Sequence, residues 1–555
     1  MPGLYPPHPA FKFFRPGMYG GAGLLNEAWL IQARKDRDFS AAILCIDLFF
    51  GTDKVVRVAS KECSTTSTAT GEMRHYRGLL GEIPEISWEM VPGDPSSTGK
   101  SISITLPNEL VDASELIRNQ RILAGVAEVS LQLDGGDYDD RIVLIRGDLT
   151  NVQYGAIQQI VQCTISDPKE TSDMLLPPYV LTKERHATLL DNEVGKALPI
   201  VYPASGTPIQ GRFVGSSTST PQVVICHGTR TVDEVFVDGV VAAAPFWPHT
   251  ITTGLDDLGE PYTAINFSGG MGTFDGEGGP PVYATLSGGP TNGHPVQIIR
   301  ELVRDFSTLG NLGAVPYLFA LAEARAGYLN GKVVANASGG SSAKTLSFVE
   351  GEILASFPMM SMIWWGGGYG PVVADKRDRR YAAMLEADVW PIFDRATNVI
   401  ETPKSDCLNK FSIRYGYNAL EDSWSGFAER DHTNSAICDF SRIAVGVRAQ
   451  DPIESLWIYD DATANAVLDW CVAHKTLPSY DVEYDCSPQL ALRLIPGDNV
   501  KMTDPEFGWE EQVATVTRIV WRPGRSTIML RLWSPVLAEV GQAFGYGHAS
   551  TTGGQ

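Results

Sequence analysis

The sequence lacks most of the local patterns that indicate enzyme chemistry. It contains no Gly-x-Ser-x-Gly element to hold a hydrolase serine and no His-Glu-x-x-His pair to bind zinc. The 8 cysteines are spread along the chain without a Cys-x-x-Cys pair, which argues against a zinc knuckle and a disulfide framework. We therefore predict reduced, mostly buried thiols and none of the common serine or zinc enzymes.

Basic charge and long apolar runs are also scarce. The 44 Lys and Arg residues stand against 65 Asp and Glu residues, and the net charge of −21 repels nucleic acid and anionic membranes. No stretch of 18 uncharged apolar residues occurs, and the N-terminus lacks the basic head and apolar run of a signal peptide. We expect synthesis in the cytoplasm, no stable membrane insertion and no sequence-specific DNA binding.

What the first third of the sequence does contain is a series of short strand patterns. They are rich in β-branched and aromatic residues and are separated by Gly, Pro and Asp. One helix is predicted among them, at Glu109–Leu123, from apolar residues at helical spacing. The predicted strands are residues 42–50, Ile83–Met90, Ser101–Leu106, Val126–Leu133, Ile142–Ile145 and Gln159–Ile165.

The rest of the chain mixes strands with a few helices. Asp238–Gly239 predicts a tight hairpin turn between Glu234 and Val241, because it supplies the positive φ such a turn needs. The expected helices start near Pro295, with Thr291 or Asn292 as cap, and cover Tyr317–Gly327, Thr345–Ser356 and Asp461–His474. Later strands are expected at Met359–Trp365, Lys410–Tyr417, Ile443–Val447, Asp481–Tyr484, Ala491–Leu494, Asn499–Thr503, Gln512–Trp521 and Thr527–Leu532.

These patterns predict a mainly β, multidomain protein with α+β insertions, containing β-sandwich or barrel domains and a small C-terminal β-barrel. A length of 555 residues is too great for one core. The predicted segments are an aromatic N-terminal docking arm (1–35), a β domain (36–170), a linker (171–205), a second β-rich unit (206–290), an α+β domain (291–450), a helix with the barrel (451–535) and a flexible tail (536–555).

Several motifs look chemical but fit a structural role better. Gly93–Ser101 ends in Gly-Lys-Ser, yet its glycine spacing is wrong for a phosphate loop and a strand follows it. The glycine run 269–279 misses the dinucleotide pattern. Asp431–His432 is an adjacent pair without a visible third partner, and Asp134–Asp140 lacks EF-hand spacing. We therefore predict no catalytic, cofactor-binding or metal-binding residues.

Aromatic pairs are the remaining candidates for binding. Trp364–Trp365, Phe246–Trp247 and Trp521 with Trp533 could stack on a sugar, but large rings in strands are more often core or subunit interface. We predict the latter.

Three segments together resemble the baseplate hub, or tail tip, proteins of long-tailed phages (siphophages) and gene transfer agents. The first is Phe39–Asp167, with "SISITLPNEL", a helix and "GVAEVSLQLDGGDYDDRIVLIRGDLTNV". The second is Val296–Val372, with "TLSFVEGEILASFPMMSMIWWGGGYGPVV". The third and most specific has "KFSIRYGYN", the helix at Asp461–His474 and "YDVEYDCSPQLALRLIPGDNVKMTDPEFGW", in which Leu494–Asp498 forms a turn before a strand.

The resemblance implies a non-enzymatic homotrimer in the virion. Tail-tube-like β domains, including residues 36–170, would form a ring continuing the tail tube, and the other domains would close into a cone that opens for genome ejection. Implied partners are the distal tail protein, the C-terminus of the tape measure protein and a central tail fibre or other baseplate proteins. DNA would pass through the lumen without specific binding.

Two other classes stay open at this level. One is a tail-associated hydrolase of cell wall or polysaccharide, whose two dispersed carboxylates a sequence does not reveal. The other is a receptor-binding or carbohydrate-binding tail protein, for which the aromatic-rich unit Gln222–Gly288 is the relevant segment.

Overall fold

A computed structural model describes most of the chain between residues 42 and 533. The arm 1–35, the tail 536–555, the helix predicted at Glu109–Leu123 and most of the glycine run 269–279 lie outside the described residues. Within 42–533 the residues not described are 51–53, 81–82, 96–100, 108–124, 134, 155–159, 167–174, 177–178, 203–207, 215–220, 244–245, 269–278, 289–292, 308–315, 330, 332, 336–342, 379–380 and 387–392.

Strands dominate the described residues, so the mainly β fold class is confirmed. Strands in the first half are β1 (Ala42–Phe50), β2 (Lys54–Ala59), β3 (Cys63–Thr66), β4 (Met73–Gly78), β5 (Ile86–Glu89), β6 (Ser101–Pro107), β7 (Gly125–Leu133), β8 (Ile142–Tyr154), β9 (Ile160–Ser166), β10 (Leu175–Leu176), β11 (Ile200–Tyr202), β12 (Pro208–Gln210), β13 (Arg212–Phe213), β14 (Gln222–His227), β15 (Thr231–Val237), β16 (Val240–Val241), β17 (His249–Leu255), β18 (Pro261–Phe267) and β19 (Val282–Ser287).

The second half contains the remaining strands and the helices. Its strands are β20 (Val333–Ala335), β21 (Ala343–Lys344), β22 (Met360–Trp365), β23 (Gly368–Val373), β24 (Tyr381–Glu386), β25 (Phe393–Glu401), β26 (Phe411–Asn418), β27 (Ser423–Arg430), β28 (Ile453–Glu454), β29 (Ser479–Cys486), β30 (Asn499–Asp504), β31 (Trp509–Trp521) and β32 (Ser526–Trp533). Its α-helices are α1 (Pro295–Asp305), α2 (Pro316–Arg325), α3 (Thr345–Phe348, continued by π- and 3-10-helical turns to Ser356), α4 (Ala436–Val445), α5 (Asp461–Lys475) and α6 (Pro488–Arg493).

The chain forms two compact units, each assembled from separate stretches of sequence. The first comprises Met1–Thr171, Ser361–Asp406 and Leu477–Gln555, and the second comprises Ser172–Met360 and Cys407–Thr476. The seven-segment division given above remains a prediction.

The first unit is built on two large sheets. Residues 42–166 supply an eight-stranded sheet in the order β3-β4-β2-β1-β7-β8-β9-β6, which fits the strand-rich block predicted there. The other sheet has the order β24-β30-β31-β32-β29-β25, with β5 added on β31. It is open, so the expected C-terminal barrel is replaced by a sheet. The reason is that distant segments, not the C-terminal stretch alone, supply its hydrogen-bonding partners.

The second unit contains smaller sheets and most of the helices. Its sheets have the orders β17-β18-β14-β11-β20, β12-β19-β15-β16, β27-β26-β28 and β10-β21. The predicted turn is present, with positive φ at Asp238 (50°) and Gly239 (78°) joining β15 to β16. Helices α1, α2, α3 and α5 confirm their predictions, and His294 takes the N-cap position of α1 without a capping side-chain bond. The predicted caps Thr291 and Asn292 lie outside the described residues.

Two predicted strands are helices instead. Ile443–Val447 was expected to be β, but residues up to Val445 belong to α4, which begins after Ser435, whose hydroxyl accepts from Cys438 N. Ala491–Leu494 was also expected to be β, yet α6 covers it up to Arg493, with Ser487 accepting from Leu490 N and Pro488 in the first turn. In both places a local cap outweighs the β propensity of the apolar residues.

All eight cysteines lie in the described residues and are buried, as predicted, and no two of them are bonded there. Among the helices that the structure describes, none is both long and apolar enough to cross a membrane.

Candidate functional site

The two acidic motifs singled out in the sequence serve as local braces. Asp431 Oδ1 accepts from the N and Oγ1 atoms of Thr433 at 2.8 and 2.6 Å, which lowers the pKa of Asp431 and closes the turn before α4. His432 Nδ1 is 3.8 Å from Asp431 Oδ2, beyond hydrogen-bond distance. The pair therefore shapes a turn.

The acidic loop before β8 holds the β3–β4 connection. Asp139 Oδ2 accepts from Ser67 Oγ at 2.7 Å and from Ala69 N at 3.1 Å, and Asp137 accepts from the N and Oγ1 atoms of Thr68. These oxygens are used in hydrogen bonds within the protein. In the part of the chain that the structure describes, no group of three or more His, Cys, Asp or Glu side chains is placed to hold a metal ion.

The remaining motifs are also structural. Ser101 opens strand β6, so a strand and not a helix follows Gly93–Ser101, against a phosphate loop. The simple hairpin turn expected there is wrong, because β5 pairs with β31 and β6 pairs with β9 in a different sheet. Trp365 is buried and its ring lies 4.5 Å from that of Trp88, and Trp521 and Trp533 are buried as well. Phe246 differs, since 80% of it is exposed.

A row of four charged residues crosses the eight-stranded sheet, and sequence analysis did not find it. Strand register places Arg57, Asp47, Glu128 and Arg146 opposite one another on β2, β1, β7 and β8. Asp47 and Glu128 are buried, and they are bound at the flanks by Arg57 Nε (3.1 Å to Asp47 Oδ1) and by Arg141 Nε (2.7 Å to Glu128 Oε1). We call these residues, with Arg141, the charge row.

Aromatic and amide groups complete the charge row. Tyr76 Oη donates to Asp47 Oδ2 at 2.8 Å, and Gln132 Nε2 donates to Tyr76 Oη at 3.1 Å. The ring of Tyr138 lies between the guanidinium groups of Arg74 and Arg141, at 3.6 and 3.9 Å.

Burial and the neighbouring Glu128 raise the pKa of Asp47 to about 6. Two carboxylates directly opposite each other in a sheet repel, so the flanking cations are needed to hold both strands in register. The charge row therefore specifies the register of these strands in the sheet.

The outer strands of the same sheet carry an uncharged polar surface. Register aligns Ser101 with Ser166, Ser103 with Thr164, and Thr105 with Gln162 across β6 and β9. Those on β6 are exposed, as is Gln162. We call these residues, with Thr150 of β8, the hydroxyl face; its members are Ser101, Ser103, Thr105, Thr150, Gln162, Thr164 and Ser166.

Helix α4 presents its apolar side outward. Phe440 and Ile443 are 46% and 72% exposed, and with the exposed Ala444 they lie on one face of the helix. Val447, two residues beyond the end of the helix, is 65% exposed. The buried side of the helix instead carries Cys438 and Ser441. We call Phe440, Ile443, Ala444 and Val447 the α4 stripe. A surface helix normally buries its apolar face against the core. Here the apolar face is exposed, which is typical of a protein–protein interface.

A hairpin tip in the second unit also exposes apolar side chains. Leu255 and Leu258 are exposed on either side of Asp256, whose carboxylate accepts from the N atoms of Leu258 and Glu260 at 3.0 and 2.8 Å. Arg185 Nη1 donates to the same carboxylate at 2.6 Å. The tip is thus fixed by hydrogen bonds while its leucines face solvent.

One cavity of about 390 Å³ lies in the second unit between the end of α3 and residues 450–457. Glu352, Asp451 and Glu454 are at its lining, and the indole of Trp457 donates to Glu352 O at 2.9 Å. Arg414 pairs with Glu454 at 2.9 Å. Carboxylates in a cavity do not by themselves indicate a hydrolase, so we assign no function to this cavity.

No protein-family model matches the chain, and no curated protein matches it either. Similar solved structures include a chain from the virion of a native gene transfer agent particle, with a TM-score of 0.39 and 12% identity over 62% of this chain and 86% of that one. The tail protein from Neisseria meningitidis MC58 has a TM-score of 0.36 and 10% identity over 89% and 97%. The 43 kDa tail protein of prophage MuSo2 from Shewanella oneidensis has a TM-score of 0.31 and 10% identity over 89% and 98%.

Proposed function

We propose that this chain is a structural protein of a phage-type tail, and more narrowly its baseplate hub. In this role three copies form a ring and cone at the tail tip, continuous with the tail tube. No catalytic residue is required, because the working step is the change from a closed to an open assembly.

The observation that carries the proposal is the α4 stripe. Exposed apolar residues at consecutive helical turns are unfavourable in a protein that stays alone in water, and they favour a subunit interface. Asp439 and Arg442 flank the stripe and pair with each other, Arg442 Nη2 lying 2.7 Å from Asp439 Oδ1. This ion pair puts a polar border beside the apolar residues, as at the rim of a protein–protein interface.

A change at the centre of the α4 stripe tests the trimer. We expect the purified protein to have the native mass of three chains and Ile443→Asp to weaken association at least about tenfold, since a carboxylate would be buried without a partner. Ile400→Asp is the control, because Ile400 is also exposed but lies on β25 of the first unit. A monomeric wild-type protein, or a trimer that Ile443→Asp leaves intact, contradicts the proposal. Images of particles should also place the label of a tagged copy at the tail tip.

The hydroxyl face supports the expectation that DNA passes without specific binding. Phosphates are held on proteins chiefly by Lys and Arg, and the residues that define this face include neither. In a ring made from residues 36–170, such a face could line the lumen while leaving the DNA free to slide.

Adding positive charge to the hydroxyl face should therefore slow ejection. We expect Ser103→Lys with Thr105→Lys to lower infectivity roughly tenfold or more while particle numbers stay normal, because lysines bind the passing phosphates. Ser64→Lys is the control, at an exposed position of β3 on the other edge of the same sheet. Plaque titre per assembled particle is the measurement, and an unchanged ratio for the double variant would remove this face from the lumen.

The partners in this proposal are the distal tail protein above the ring, the tape measure C-terminus inside it, and a central fibre or other baseplate proteins below. The hairpin tip with Leu255 and Leu258 offers a fixed apolar contact for one of them. The tail baseplate of the virion is the proposed location.

A further inference from the structure

Two buried cysteines approach each other in the first unit although their strands are not neighbours. Cys45 Sγ of β1 lies 3.8 Å from Cys63 Sγ of β3. In the strand order β3-β4-β2-β1 two strands separate them. A flat sheet would hold the outer strands about 14 Å apart, at about 4.8 Å per step. The β3–β4 hairpin must therefore fold over β1 and β2.

The contact is enclosed by apolar side chains. Ile43, Ala59 and Tyr76 form one packed cluster with the two cysteines. Cys63 and Thr65 face inward from β3 while Ser64 and Thr66 are exposed, so the strand presents its sulfur to the sheet rather than to water. Both ends of the hairpin are fixed, since Cys63 pairs with Tyr76 and the 67–69 turn is bound by Asp137 and Asp139.

We propose that Cys45 and Cys63 are a redox modification site, a latent disulfide that a hydroperoxide closes once the protein leaves the reducing cytoplasm. One sulfur, as thiolate, attacks the peroxide and becomes a sulfenic acid, and the leaving oxygen departs as water or alcohol. The second sulfur then attacks the sulfenic sulfur, forming the S–S bond and releasing water. The two thiols lose two protons and two electrons, and one peroxide is reduced.

The geometry requires only a small movement. Bonded sulfurs are about 2.05 Å apart, so the two Sγ atoms must approach by about 1.8 Å. The hydrogen bond with Cys63 and burial both raise the pKa of the Cys45 thiol. Closure is consequently slow at neutral pH and faster in alkaline solution, which suits a bond that must stay open during synthesis.

Closure would fasten the β3–β4 hairpin to β1 beside the charge row. The cross-link removes conformations from the unfolded chain, and a loop of this size raises the melting temperature of the sheet by about 5 °C. The edge of the eight-stranded sheet at β3 would then resist local opening outside the cell.

The test counts thiols in the full-length protein. Wild-type protein is treated with hydrogen peroxide at alkaline pH without denaturant, then denatured and alkylated with iodoacetamide. We expect two fewer alkylated cysteines than in the untreated protein, and a peptide map joining Cys45 to Cys63. The control Cys226→Ala, which changes a buried cysteine elsewhere, should lose the same two thiols, whereas Cys45→Ala should lose none.

Retention of all thiols, over-oxidation without a cross-link, or a link between other cysteines overturns the proposal. If Cys45→Ala fails to fold, Cys63→Val provides the second variant, and the wild-type peptide map decides in either case. The assay does not involve the tail role, so it can fail while the proposed function holds.

Discussion

Replacing Glu128 with glutamine is expected to destabilise the eight-stranded sheet by about 3 kcal/mol, because the change leaves a buried guanidinium without its carboxylate. The side chains of Arg141 and Glu128 are 7% and 4% exposed and meet at 2.7 Å. The Arg141 guanidinium also packs on the ring of Tyr138 at 3.9 Å, so reaching water would require breaking that packing. Glutamine keeps the shape and one acceptor but not the charge.

The matched control is Asp47→Asn, on the opposite strand of the same pair. Asp47 is the carboxylate whose pKa is raised to about 6, so at neutral pH its charged form is already unfavourable there. Its cation, Arg57, is 25% exposed and lies 3.4 Å from Glu72, so it retains both water and a second partner. We expect Asp47→Asn to change the stability by less than about 1 kcal/mol at pH 7.

Hydrogen exchange of peptides from β1 and β7 distinguishes the two variants locally, which matters in a protein of two units. A loss of about 3 kcal/mol corresponds to roughly 100-fold faster exchange in these strands. Equal effects of the two substitutions, or a larger effect of Asp47→Asn, would contradict the assignment of Glu128 as the anchor of the charge row.

The raised pKa of Asp47 also predicts a pH dependence. Protonation is favoured more in the folded protein, so the stability it provides is complete below about pH 4 and is lost as pH rises through about 6. Glu128, Arg57, Arg74 and Tyr76 face the carboxyl group and set this balance. After correction for intrinsic rates, exchange in β1 should slow between pH 7 and pH 5 in the wild type, and Asp47→Asn should lack that component.

Much of the fold follows from short-range patterns. The strands at β1, β6, β7 and β9 have alternating or continuous apolar residues between turn formers, and the positive φ at Asp238–Gly239 follows from residue type alone. Helix α5 has its apolar residues at helical spacing and a capping Asp460 that accepts from Thr463 N. Each of these signals lies within a few residues of the element it specifies.

The two helices predicted as strands show where propensity failed. Ile443 and Val445 favour β structure, but they follow Ser435 at the start of α4 and stand before Gly446, whose φ of 79° ends the helix. At α6 the Ser487-Pro488 pair was visible in the sequence and is a helix start signal. Capping residues would have corrected both predictions.

The charge row and the Cys45–Cys63 contact could not be predicted in the same way. Both depend on register between strands up to 81 residues apart, as in the pairing of Asp47 with Glu128. The sequence shows that Asp47 interrupts an apolar strand, which indicates a buried partner. It does not show which residue lies opposite Asp47. The α4 stripe was hidden for another reason, since its apolar residues suggested a buried strand.

The second large effect is expected at Gly497, in the Leu494–Asp498 turn that carries the strongest sequence resemblance. Gly497 has a φ of +94°, and its N donates to Val516 O at 2.7 Å. A Cβ there would stand 3.2 Å from Val373 O and 3.3 Å from Met90 Sδ. We expect Gly497→Ala to destabilise the open sheet by about 2–4 kcal/mol, the sum of an unfavourable backbone conformation and overpacking.

Gly508→Ala separates these two contributions. Gly508 also has a positive φ, +67°, but a Cβ would meet nothing within 4 Å, so only the backbone term of about 1 kcal/mol remains. Exchange of β30 and β31 peptides measures both variants in the same sheet. If Gly497→Ala were no worse than Gly508→Ala, close packing against Val373 would not be what fixes glycine in this turn. If Gly497→Ala loses more stability than Gly508→Ala, packing against β23 specifies the turn. The turn sequence alone does not reveal that contact.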